Sequence, residues 1–229
     1  MLGSHHTSSV VLSAVQLNKH YDHRPVLQSV SLEIRAGERL ALTGPSGSGK
    51  TTLLNCLGGI DRPDSGSITI LGHAMETATP DTLAELRRTY LGTIFQFFHL
   101  LPTLSAAENI ELPLQLLGIN RNERAHRIHS ALSRVGLEKR AQALPSQLSG
   151  GEQQRIAIAR ALIHRPAVIL ADEPTGNLDS VNGEKILHLL KEVTDELRIA
   201  LVLVTHSSEA AAICHRRVHL LDGKLVDAP

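Results

Sequence analysis

The chain has 229 residues, 42% of them hydrophobic, enough to bury a full core and to exclude disorder over most of its length. Lysine plus arginine and aspartate plus glutamate balance at 23 each, so no basic excess marks nucleic acid as a partner. The 13 histidines are scattered and make no metal spacing with Cys56 or Cys214, two lone cysteines that fit reduced thiols rather than a disulfide framework.

MLGSHHTSS, the polar start, lacks the apolar stretch of a signal peptide and is expected to be a loose terminus. VVLSAVQL, VLQSVSLEI and ERLALT follow over residues 10–43, separated by turn residues such as Asp22, Pro25 and Gly37, and predict a small strand-rich entry. ERLALT runs into GPSGSGKTT, helical spacing begins at Lys50, and SITI after DRPDSG is a further strand. TPDTLAELRRTYLG predicts a helix capped by Thr79 ahead of Pro80, and GTIFQ a short strand. SAAENIELPLQLLG and RNERAHRIHSALSRVG predict two helices, and LPSQLSGGEQQRIAIARALIHRP a loop running into a third.

After Pro166, strands AVILADE, ALVLVTH and RRVHLLD alternate with helices VNGEKILHLLKEVTDEL and SSEAAAICH. VILA and LVLV are apolar on both faces, as central strands of a parallel sheet are. The expected architecture is a parallel α/β core with a helical insertion: one domain over residues 1–229, with residues 97–165 as the helical sub-domain. AVILA and IALVLV, the longest apolar runs, fall well short of the roughly 18 residues of a membrane span.

Two stretches carry the chemistry most directly. GPSGSGKT comprises Gly44, Pro45, Ser46, Gly47, Ser48, Gly49, Lys50 and Thr51 and matches G-x-x-x-x-G-K-[ST] between a predicted strand and a predicted helix. Its glycines let backbone N–H groups face phosphates, with the positive end of the helix behind them. Lys50 is expected on the β- and γ-phosphates and Thr51 on Mg2+. VILADE delivers Asp172 and Glu173 at the end of a buried strand, where open α/β sheets place their ligands. If the pleat points them to opposite sides, the two acids can do different work: Asp172 beside Mg2+, Glu173 as the general base that orients a water.

A second glycine pair opens the helix of LSGGEQQRIAIARAL. Ser149-x-x-Glu152 is a capping-box pattern, which explains the helix start. It does not explain Gly150 and Gly151, each of which costs up to about 1 kcal/mol relative to alanine in a helical first turn. Glycine admits close approach by another backbone or a ligand, and a helix N-terminus attracts anions.

With these motifs in this order the chain resembles the ATP-binding-cassette ATPases, over nearly its whole length. GPSGSGKT corresponds to their Walker A loop, Gln96 in IFQFF to the Q-loop, LSGGE to the LSGGQ signature, VILADE to Walker B, Asn177-Leu178-Asp179 to the D-loop and His206 to the switch histidine. Tyr21 lies where the family has its adenine-stacking aromatic. The resemblance implies a P-loop NTPase fold with a RecA-like parallel sheet, an antiparallel β sub-domain and a helical sub-domain. It also implies a head-to-tail homodimer sharing two ATP, in which Ser149, Gly150, Gly151 and Glu152 of one copy close over ATP held by the other. Thr52 and Asp179 would join the nucleotide contacts. Gln96 would join Thr51 and Asp172 around Mg2+ and, with Lys50, Glu173 and His206, would serve catalysis.

Within the family, GPSGSGKTTLLNCLGGIDRPDSG, FQFFHLLPTLSAAENIELPL, LSGGEQQRIAIARAL and LADEPTGNLDS look like the lipoprotein-releasing and macrolide-export branch. By that resemblance Phe97, Phe98, His99, Leu100 and Leu101 are candidates for contact with integral membrane permease subunits. The protein would then sit peripherally on the cytoplasmic face of the inner membrane. Glu152 departs from the family's glutamine but keeps the capping acceptor. The stop at DGKLVDAP is expected to mean a subunit separate from its membrane domain. The alternative from another class is a soluble single-cassette ATPase of the iron-sulfur assembly type, against which FFHLLP speaks; a small-molecule kinase would have no use for LSGGE.

Overall fold

The computed structural model describes residues 9–226. The expected loose start therefore lies, apart from Ser9, outside the described residues.

Two long strands, β1 (Val10–Tyr21) and β2 (Arg24–Arg35), form an antiparallel hairpin. Its two-residue turn, Asp22-His23, has positive φ at both positions, 47° and 66°, the arrangement whose twist matches the flanking strands. β3 (Arg39–Thr43) leaves this entry and joins the other sheet. The strand-rich entry predicted over residues 10–43 is thus split between two layers, because β3 has a continuous apolar run suited to burial on both faces.

After the P-loop come α1 (Lys50–Leu57), β4 (Ser65–Ile70), β5 (His73–Ala74), α2 (Pro80–Tyr90) and β6 (Leu91–Ile94). Thr79 caps α2 as its sequence predicts, accepting from the Thr82 N–H. α3 (Ala106–Leu116), α4 (Arg121–Arg134) and α5 (Gly150–Leu162) fill the middle of the chain. The alternation then resumes with β7 (Val168–Asp172), α6 (Ser180–Leu197), β8 (Ala200–Val204), α7 (Ser208–Ala212), β9 (Arg216–Leu221) and β10 (Lys224–Val226).

The strands form a four-stranded antiparallel sheet, β2-β1-β4-β5, and a six-stranded sheet, β10-β9-β3-β8-β7-β6, parallel except for β10. Successive residues of β7 and β8 face opposite sides. Leu170 and Val202 join α1 and the antiparallel sheet in one apolar cluster, while Ile169, Leu201 and Leu203 join Ile186 and Leu190 of α6 in another. Cys56 is buried in the first layer, and burial pushes its thiol up to about 11.

A third cluster gathers Ile110 and Leu114 of α3, Leu132 of α4 and Ile156 of α5. α5 belongs to two clusters at once, since Ile158, Ala161 and Leu162 pack with the sheet side. Among the described residues no helix is long and apolar enough to cross a membrane.

Candidate functional site

Parallel pairing sets the C-terminal ends of β3, β8, β7 and β6 along one edge, so the P-loop, residues 172–173, His206 and Gln96 emerge on the same side. The P-loop is clamped from above by neighbouring backbone. A Cβ on Gly44 would fall 2.2 Å from the Leu220 carbonyl oxygen of β9, and one on Gly49 would fall 2.7 Å from that of Val26 in β2. Both glycines also have positive φ, 145° and 104°. Gly49 caps α1, and Lys50 folds back so that its Nζ donates to the carbonyls of Gly44, at 2.8 Å, and Pro45, at 2.7 Å. The Ser48 hydroxyl is buried with no hydrogen-bond partner among the described residues.

Thr51 Oγ1 donates to Asp172 Oδ2 at 3.1 Å, joining the first turn of α1 to the end of β7. Burial pushes the Asp172 carboxyl above its usual value, reinforced by the charge of Glu173 and opposed by Thr51 and Lys50. A hydroxyl and a carboxylate so placed are hard oxygen donors that fit Mg2+.

The predicted strand AVILADE ends one residue early. Glu173 is beyond β7 with φ 46°, so a left-handed turn rather than the pleat separates it from Asp172. The Glu173 N–H bonds back to the Val204 carbonyl at 3.0 Å, which brings its side chain beside the end of β8. There His206 Nδ1 lies 2.6 Å from Glu173 Oε2. Gln96 follows β6 and is tied to the D-loop segment, where Asn177 Nδ2 donates to its carbonyl at 2.9 Å. Asp179 caps α6, accepting from the Asn182 N–H at 2.9 Å. Tyr21 stands at the tip of the β1–β2 hairpin, and Thr52 lies near enough to its phenol to act on its titration.

Ser149 caps α5 in the predicted capping box: the Glu152 N–H bonds to Ser149 Oγ, and Glu152 Oε2 accepts from the Ser149 N–H at 2.8 Å. That backbone bond, with Arg140 assisting, holds Glu152 below the usual carboxylate range. The two glycines differ. A Cβ on Gly151 would press to 3.2 Å on Asn182, whereas one on Gly150 would make ordinary contacts of 3.6 Å with Leu178 and Phe98. The chain's own packing sets a tight neighbour against Gly151 and none against Gly150. Gly150→Ala is therefore expected to leave the melting temperature unchanged or raise it, alanine being better by up to about 1 kcal/mol in a helix. ATP turnover should nonetheless fall roughly ten-fold or more if this surface meets the nucleotide; thermal unfolding and phosphate release measured on one preparation check both halves.

Of the five candidates after Gln96, Phe97 is 68% exposed and Leu101 46%, and His99 is exposed too. Phe98 and Leu100 are only half-exposed: Phe98 reaches toward Gly150, and Leu100 packs on the third cluster. Phe98 and His99 both have positive φ, 60° and 48°, a bend the sequence did not announce. Arg160 of α5 holds it, its guanidinium donating to the His99 carbonyl at 2.6 Å and the Phe98 carbonyl at 2.8 Å. Phe97, Ile60, Leu54 and Phe95 line a groove of 330 Å³ that runs to Gln96 and Asp172.

The family model described as ABC transporter matches residues 27–176, which contain the P-loop, Gln96, the LSGGE helix start, Asp172 and Glu173, and leave Tyr21, Asn177 to Asp179 and His206 outside. The chain belongs to the ABC transporter family. This cassette is 48% identical over 204 residues to the macrolide export ATP-binding/permease protein MacB of Salmonella choleraesuis (strain SC-B67), covering 89% of this chain and 31% of that protein. It thus spans about a third of the length of the macrolide-export relatives it matches. It is 46% identical over 200 residues to the lipoprotein-releasing system ATP-binding protein LolD of Shewanella denitrificans, covering 87% and 86% of the two chains. The fold superposes on the ATP-binding cassette MJ0796, a dimer bound to ADP and Pi, with TM-score 0.85 at 41% identity over 93% of this chain and 96% of that one. It also superposes on cbiO1 of Clostridium perfringens with TM-score 0.86 at 28% identity, over 95% and 87%.

Proposed function

We propose that this cassette is the ATP-hydrolysing motor subunit of a transporter, pairing head to tail with a second copy around two ATP. It drives an integral membrane partner that extracts or exports lipoprotein or amphipathic cargo, from the cytoplasmic face of the inner membrane. The observation that carries the reading is the coexistence in one chain of a preformed P-loop and an LSGGE helix start whose Gly150 its own packing does not require. The dimeric state of MJ0796 and the names of the LolD and MacB relatives support it.

In this reading the P-loop amides and Lys50 hold the phosphates, Lys50 exchanging its two loop carbonyls for phosphate oxygens. Phosphate also offers a partner to the buried Ser48 hydroxyl. Thr51, Asp172 and Gln96 would hold Mg2+, which supplies charge neutralisation at the phosphate oxygens. Glu173 takes a proton from the water that attacks the γ-phosphorus, ADP leaving on the opposite side, while His206 orients the carboxylate. Tyr21, Thr52 and Asp179 complete the nucleotide contacts. Ser149, Gly150, Gly151 and Glu152 close over the partner copy's ATP, stabilising charge there only in the paired state.

The groove beside Phe97 and Ile60 suits an apolar segment of the membrane partner, and its position next to Gln96 and Asp172 links that contact to the nucleotide. Purification from native membranes in mild detergent should bring down a membrane subunit with wild-type protein. Phe97→Asp should lose that subunit while ATP affinity stays the same. A set of purely soluble companions would overturn the transport reading.

A further inference from the structure

Tyr21 carries more support than an exposed hairpin aromatic requires. The residue is 45% exposed, yet its hydroxyl donates to Asp61 Oδ2. Lys19, two residues back on the same face of β1, is buried and puts its ammonium 5.2 Å from the ring centroid. The same ammonium donates to Asp61 Oδ1 at 2.8 Å and to the Arg62 carbonyl at 2.7 Å, so Asp61 holds lysine and tyrosine together. Asp64, further along the turn after α1, accepts from the His20 N–H at 2.6 Å and lies 3.0 Å from His20 Nδ1. This turn is thereby clasped to the strand that carries the ring.

We propose that Asp61 is a positioning residue for nucleotide binding: with Lys19 it fixes the Tyr21 ring so that the face opposite the lysine is presented to the base of ATP. The inference rests on the reading of Tyr21 as the base-stacking aromatic. An untethered surface ring samples its rotamers within nanoseconds and must be ordered when a base stacks on it. Here the hydroxyl is held at one end and the lysine covers one face, so the ordering is done before the ligand arrives. Titration agrees with the geometry. Asp61 holds the Tyr21 phenol and the Lys19 ammonium above their usual values. Burial pulls Asp61 upward, but the bonds from Lys19 and Tyr21 outweigh it and leave the carboxyl below its usual value.

The test compares ATP with tripolyphosphate, which offers the P-loop its phosphates and Tyr21 nothing, both with Mg2+ and both by calorimetry. Asp61→Ala is expected to weaken ATP about two- to twelve-fold, the ordering cost of one side chain, and to leave tripolyphosphate unchanged. Tyr21→Phe, which keeps the ring and drops the hydroxyl, should weaken ATP likewise, and the double variant should lose no more than either single one. Where Asp61→Ala does not fold, Asp61→Asn is read in the same way, since it removes the charge that holds Lys19. Equal weakening of both ligands by the Asp61 variants would mean a structural clasp and overturn the proposal. Unchanged ATP affinity in the Asp61 variants, with Tyr21→Ala still weakening ATP, would overturn it as well while sparing the stacking. Unchanged ATP affinity in Tyr21→Ala would overturn the stacking and the tether together.

Discussion

Glu173→Gln is expected to bind ATP normally, to turn it over about 10²- to 10⁴-fold more slowly, and to accumulate as a dimer only when ATP is present. The amide preserves size and an oxygen that can face His206 but cannot take a proton from water. Its neighbour argues for the division of labour: Asp172 is engaged by Thr51, whereas the turn at Glu173 swings the second carboxylate away to His206. Phosphate release together with gel filtration reads both halves of the expectation. Turnover at the wild-type rate would take the base assignment from Glu173, and a dimer without ATP would separate pairing from nucleotide.

Lys50→Ala is expected to lose roughly ten- to 150-fold in ATP affinity, corresponding to about 1.5–3 kcal/mol for a charged hydrogen-bonding group. Because Lys50 also bonds to the Gly44 and Pro45 carbonyls, the variant removes donors that brace the loop. The comparison is therefore made at matched thermal stability. Calorimetry showing unchanged affinity would contradict the phosphate cradle. The same variant tests sharing of sites: mixed with Ser149→Arg subunits, it should recover partial activity, because one composite site then pairs an intact P-loop with an intact LSGGE. A mixture as inactive as either parent would show that the two motifs do not meet across subunits.

Local chemistry made most of the site legible. Thr79 and Ser149 cap the helices that follow them, and Gly44 and Gly49 of the P-loop lie where β9 and β2 leave no room for a Cβ. Periodicity located β7 and β8 because burial on both faces leaves a continuous apolar run. Features that depend on distant partners left no such mark. Asp61 lies 40 residues from the tyrosine it holds, in a turn whose composition announces only a turn. Arg160 reads as one polar residue in an amphipathic helix, and nothing near it in sequence points to the Phe98 and His99 carbonyls 61 or more residues away. The apolar run of β3 suits burial on both faces, but only its parallel pairing shows that it lies between β8 and β9. Glu173 misled for a different reason, since a positive φ at a non-glycine residue is a local exception imposed by the fold around it.

Stiffness follows from the double membership of α5. Its 13 residues span about 20 Å, with Ser149 at one end and, in the last turn, Arg160 gripping the bend behind Phe97. Apolar side chains on two sides wedge it between clusters that are each close-packed, so rolling it in place would open one cluster while crowding the other. In the proposed transport reading, a push delivered at Phe97 would therefore not be absorbed as bending along the way. It would arrive at the glycines as a displacement of the whole rod, so that the subunit would work less like a hinge than like a crank.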